Sequence, residues 1–150
     1  MNTQLLVSVV VLCACLGFVS QSAAGEDPFQ GVGSITVPLE KMSWRKQAPD
    51  LPQQISMLWG NRDRDGGFGE LVELPPGFRS PLHAHSGDFH GVLIKGTWLH
   101  EDALGKGTPV TPGSYVRQAG GELHVDRCVS KEPCLLLLFQ YARADVIVAK

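Results

Sequence analysis

Four of the five histidines in this chain fall between positions 83 and 100. His83 and His85 form a His-x-His pair. In an extended backbone, side chains two residues apart project to the same face, so both imidazoles can converge on one point. His90 follows five residues after His85, beyond the turn-like Ser86-Gly87-Asp88, and that turn can return a third imidazole to the same centre. His124 comes after the turn signals Pro112-Gly113-Ser114 and Gly120-Gly121. Neutral imidazoles are ligands for divalent transition metals, so a centre of three or four of these histidines suits Fe(II), Zn(II), Cu(II), Ni(II) or Mn(II). Four His ligands would close a tetrahedral site, whereas three leave positions open for a substrate. The role of His90 therefore separates a structural centre from a catalytic one. Buried histidines that bind no metal are the competing reading. His100, among charges at the end of Trp98-Leu99-His100-Glu101-Asp102, reads as a solvent-exposed bystander.

The elements that must position these groups read as strands. Runs at residues 55–59, 68–74, 91–101, 114–119, 122–128, 134–141 and 145–149 are β-like and separated by Gly, Pro, Asp or Ser. Residues 34–39 are a further short extended candidate, followed by a connector carrying Pro49 and Pro52. No segment shows sustained helical periodicity with caps. The apolar run 135–139 suits a strand covered on both faces. Short strands at this spacing imply an all-β protein: a small antiparallel barrel or double sheet, residues 55–150, preceded by an N-terminal arm, residues 25–54.

With 150 residues, 43% hydrophobic and 19% charged, the chain has the length and composition of one globular domain. Thirteen Lys+Arg against 15 Asp+Glu, with no basic cluster, argue against nucleic acid as a partner and favour a small molecule. Residues 1–24 carry no charged side chain and end in Ser22-Ala23-Ala24, which reads as a signal peptide cleaved before Gly25. The expected destination is the periplasm or the exterior, with no membrane attachment after cleavage; a lipoprotein around Cys13 or Cys15 is the alternative. Cleavage would leave Cys128 and Cys134, six positions apart, in an oxidising compartment, where they can form a disulfide or stay as separate buried thiols.

Gly77, His83, His85 and Gly96, followed by Pro112, Gly113 and His124, resemble the two motifs of the cupin superfamily. From about Trp59 to Tyr141 the chain is most similar to small single-domain cupins of the DUF4437 and ChrR-like kind. The resemblance implies a jelly-roll-like fold, metal binding by His83, His85 and His124, and pairing of sheets into a homodimer. Two positions depart from the pattern. The motif's Glu is missing, with Phe89 or His90 in its place, and the terminal Asn of the second motif gives way to Asp126 and Arg127. A centre made of imidazoles alone would keep the full dipositive charge of its metal and act as a strong Lewis acid.

The expected function is therefore an exported divalent-metal enzyme, of the Fe(II) dioxygenase type, acting on a small oxygenated organic molecule. A non-catalytic Zn-binding sensor or binding module is the alternative. A sugar-isomerising cupin is disfavoured because the sequence displays no catalytic His–Asp pair. Phe89, Leu93 and Leu71 are expected in the apolar wall, Arg62 and Arg79 in surface ion pairs, and Trp44, Trp59 and Trp98 in packing. Nucleophile elbows, phosphate loops and dinucleotide fingerprints are absent.

Overall fold

Among the described residues, glycine- and proline-punctuated apolar runs give eleven strands and a single 3-10 turn (Leu39–Lys41). The computed structural model describes residues 27–150; the expected signal peptide lies outside the described residues. The strands are β1 (Arg45–Lys46), β2 (Gln54–Gly60), β3 (Phe68–Leu74), β4 (His83–Ala84), β5 (Phe89–Lys95), β6 (Trp98–Asp102), β7 (Gly107–Val110), β8 (Tyr115–Gln118), β9 (His124–Cys128), β10 (Cys134–Gln140) and β11 (Ile147–Val148). They form a six-stranded sheet, order β1-β2-β3-β10-β5-β8, and a five-stranded sheet, order β11-β4-β9-β6-β7. Every pairing is antiparallel. The sheets remain separate, so the fold is an all-β double-sheet jelly roll and not a closed barrel.

The core lies between the sheets. Ile55, Val72, Leu74, Leu93 and Leu136 project from the six-stranded sheet, Trp98, Val110 and Cys128 from the other. Burying a side chain of this size contributes about 1.5–3 kcal/mol. In β10 the apolar run is central in its sheet, but only its first half is buried on both faces; residues 137–139 are half-buried. The run expected at 91–101 is split into two strands, β5 and β6, by a turn at Gly96 with φ +88° that carries the chain from one sheet to the other. Residues 34–39, expected to be extended, form no strand. The Cys128–Cys134 disulfide ties the end of β9 to the start of β10 and so fastens one sheet to the other. Among the described residues no helix is long and apolar enough to cross a membrane.

Candidate metal centre

Strand register assembles the site. His83 on β4 lies directly opposite His124 on β9, and His100 on β6 lies directly opposite Asp126, two residues along β9. Alternation puts His124 and Asp126 on one face of β9, and it carries His85 past the end of β4 on the side of His83. The ring centroids of His83 and His124 are 4.2 Å apart, those of His83 and His85 4.9 Å, and those of His85 and His124 5.2 Å. One nitrogen from each of the three falls within 4.8 Å of the others.

Hydrogen bonds at the far side of each ring define which nitrogen that is. Nδ1 of His83 donates to the Pro81 carbonyl at 2.9 Å, Nδ1 of His124 to the Glu122 carbonyl at 3.1 Å, and Nδ1 of His85 to the Asp145 carbonyl. A proton on Nδ1 leaves the Nε2 lone pair directed inward, the arrangement by which outer acceptors orient metal-ligating imidazoles. His124 is only 1% exposed, and its Nε2 is buried with no hydrogen-bond partner. Burial drives the His124 pKa down to about 4 against the raising pull of Asp126, and burial likewise lowers that of His85. Both rings are thus held in the unprotonated state that metal binding requires. An orphaned lone pair among three converging imidazoles fits a divalent transition metal.

His90 does not join them. It lies on the other face of β5, where its ring stacks on Phe139 at 5.1 Å and Nδ1 meets the Tyr115 hydroxyl at 2.6 Å. The turn at residues 86–88 brings the chain back, but β5 begins at Phe89, so it is Phe89 that points inward, packed on His85 and His124 with centroids 5.3 and 5.6 Å away.

Three further residues differ from expectation. His100 is no bystander: its side chain is 15% exposed, its Nδ1 lies 2.8 Å from Asp126 Oδ1, and its Nε2 lies 2.7 Å from Gln118 Oε1. Burial alone would lower its pKa, but the hydrogen bond and charge of Asp126, with Gln118, outweigh that and raise it. The site also has a carboxylate. Asp126 Oδ2 lies 3.6 Å from His124 Nε2 and 3.9 Å from His83 Nε2. Burial would raise the Asp126 pKa, yet the hydrogen bond and charge of His100 keep it lowered, so the group is anionic. The His–Asp pair that the sequence did not display is His100–Asp126; only the β6–β9 register brings together residues 26 positions apart. Arg62 is not in a surface pair but is buried against an equally buried Glu70 at 3.3 Å. Arg79 does pair at the surface, with Glu101 at 3.1 Å.

A cavity of about 780 Å³ between the sheets reaches the centre at His83, His85 and Asp126. Its apolar wall is Phe68, Val72, Leu74, Phe78, Leu136 and Leu138. Of the residues expected there, Phe89 lines it, whereas Leu93 packs in the core and Leu71 projects from the opposite face of β3. Trp98 is core, while Trp59 lies half-exposed over Gly69.

A double-sheet jelly roll with His83 on one short strand, His85 just past its end and a third inward His, His124, on the neighbouring strand is the architecture of a cupin whose histidines could hold a metal. The sequence matches the ChrR Cupin-like domain family over residues 32–144, and the chain belongs to that family. Solved structures with the same fold include KdgF from Halomonas sp., at 19% identity and TM-score 0.59, covering 75% of this chain and 97% of that one. The polyketide cyclase RemF from Streptomyces resistomycificus matches at 18% identity and TM-score 0.65, over 79% and 87% of the two chains. Rhodobacter sphaeroides SigE in complex with the anti-sigma ChrR matches at 17% identity and TM-score 0.56, over 69% of this chain and 50% of that one. No curated protein matches the sequence.

Proposed function

We propose that the chain is an exported, metal-dependent cupin enzyme of the dioxygenase type, with His83, His85 and His124 holding one divalent cation and a small oxygenated organic molecule as substrate. The observation that carries this reading is the triplet of inward Nε2 atoms, each fixed by a backbone carbonyl at its Nδ1. A bound divalent cation would supply Lewis acidity and coordination positions for oxygen donors of the substrate. The protein's own part is then positional. Three histidines on one sheet leave the cavity side of the centre open, Phe89 shields the rings of His85 and His124, and the apolar wall of the opposite sheet excludes water from a bound molecule. The enzyme RemF among the structural neighbours supports catalysis on this fold.

Metal content decides the first half of this reading. Protein purified without added metal is expected to retain a divalent cation in elemental analysis, and His83→Ala and His124→Ala are each expected to lose it; full occupancy in either variant would sink the assignment. Consumption of O₂ by the Fe(II)-loaded protein, assayed with diketone and phenolic compounds, tests the second half. Membership of the ChrR family, and the seating of ChrR on SigE, favour one other reading: a Zn-binding sensor that works through a protein partner. That reading expects redox-inert Zn(II) and no O₂ uptake.

A further inference from the structure

We propose that Asp126 is the fourth protein ligand of this centre, a carboxylate supplied by β9 in place of the Glu missing after His85. The inference rests on the metal-site reading above and deepens it. Donor atoms sharing one ion at about 2.0–2.2 Å lie roughly 3.0–3.5 Å apart in tetrahedral or octahedral geometry. Asp126 Oδ2 stands 3.6 and 3.9 Å from the inward nitrogens of His124 and His83, so it needs to approach these two by only a few tenths of an ångström to share an ion with them.

The other oxygen is already committed. Asp126 Oδ1 accepts from Trp98 Nε1 at 3.1 Å and from His100 Nδ1 at 2.8 Å, which fixes the plane of the carboxylate and turns Oδ2 toward the imidazoles. His100 is itself locked. The Gln118 amide donates to the Ala119 and Glu122 carbonyls at 3.3 and 3.0 Å, so it can present only its oxygen to His100 Nε2. With one ring nitrogen on Asp126 and the other on the Gln118 oxygen, His100 serves as a positioning residue for the carboxylate. Oδ2 receives no hydrogen bond among the described residues. An anionic oxygen thus faces two nitrogen lone pairs with no proton between them. A shared cation removes that repulsion and gives the buried carboxylate a positive partner at Oδ2. The same ligand lowers the net charge of a dipositive centre by one, contrary to the charge expected of imidazoles alone.

Zn(II) affinity by chelator competition and the visible spectrum of the Co(II)-loaded protein test the assignment, in wild type and in Asp126→Asn. The variant is expected to bind Zn(II) at least about tenfold more weakly and to shift the Co(II) bands. Because Asp126→Asn also disturbs Trp98 and His100, a crystal structure of the Zn(II)-loaded wild type gives an independent answer: the ion is expected within about 2.0–2.2 Å of Oδ2. An ion on the three histidines with Oδ2 beyond about 3 Å, or unchanged affinity and spectrum in the variant, overturns the inference and leaves the metal-site reading standing. Failure of the wild type to bind either metal overturns both.

Discussion

His124 shows what one residue contributes here. With its ring 1% exposed and Nδ1 committed to Glu122, its protonation would place a buried charge beside His83 and His100, against the single carboxylate of Asp126. Burial lowers its pKa to about 4, so between that value and the ordinary histidine value of about 6.5 the unfolded chain binds a proton that the folded one refuses. Stability of the metal-free protein is therefore expected to fall as pH drops from about 6.5 to 4, by up to roughly 3 kcal/mol from this residue. The lowered pKa of His85 acts in the same direction. His100 acts oppositely, since its raised pKa gives stability present at low pH and lost as pH rises through the folded value. Urea unfolding of metal-free protein across this range measures the balance, and His124→Gln should flatten the decline. The sequence pointed to His83 and His85 because His-x-His in a strand is a local signal, and to His124 because Pro112, Gly113 and His124 resemble the second cupin motif. It hid Asp126 and His100 because their meaning comes from a cross-strand register joining distant positions. It misplaced His90 because a one-residue difference in where a strand starts sends every following side chain to the opposite face.

At the scale of elements, the turn between β5 and β6 carries the chain from the six-stranded sheet to the five-stranded one, where β6 pairs with β9. Gly96 makes the turn with φ +88°, and an added Cβ would meet the Cys134 Cα and the Pro133 carbonyl at 2.9 Å, both backbone atoms that cannot swing aside. Gly96→Ala therefore combines a left-handed backbone with a clash against the disulfide-fastened start of β10, and is expected to cost about 2–4 kcal/mol. A shift in the urea midpoint of less than about half that would contradict the argument. Strands with alternating or continuous apolar residues were legible from composition and turn residues: β3 runs over the expected residues, and β2, β9 and β10 differ only at their ends. The two-residue strands β1 and β4 were not, because they are held by partners rather than by pattern, whereas β11 falls inside the run expected at 145–149. Residues 34–39 had the pattern of a strand but found no sheet edge, so they remained irregular.

Across the whole molecule, the last residues of the chain return to the first histidines. In β11, Ile147 and Val148 pair with Ala84 and His83, and the Asp145 carbonyl accepts from His85 Nδ1 while its side chain accepts from the Ser86 amide at 2.9 Å. The C-terminal segment thus acts as an outer support for the candidate metal centre while adding almost nothing to the core, since Ile147 and Val148 are each 53% exposed. Removing residues 145–150 should leave both sheets folded, with far-UV circular dichroism and the cooperative unfolding transition retained. It frees His85 to rotate and to exchange tautomers, and loss of such an orienting acceptor weakens metal binding by about 10–100-fold. Zn(II) titration of the truncated and full chains measures the difference. A truncated protein that folds and binds Zn(II) as tightly as the full chain would show that His85 is oriented by its own strand, not by the carbonyl that reaches it from sixty residues away.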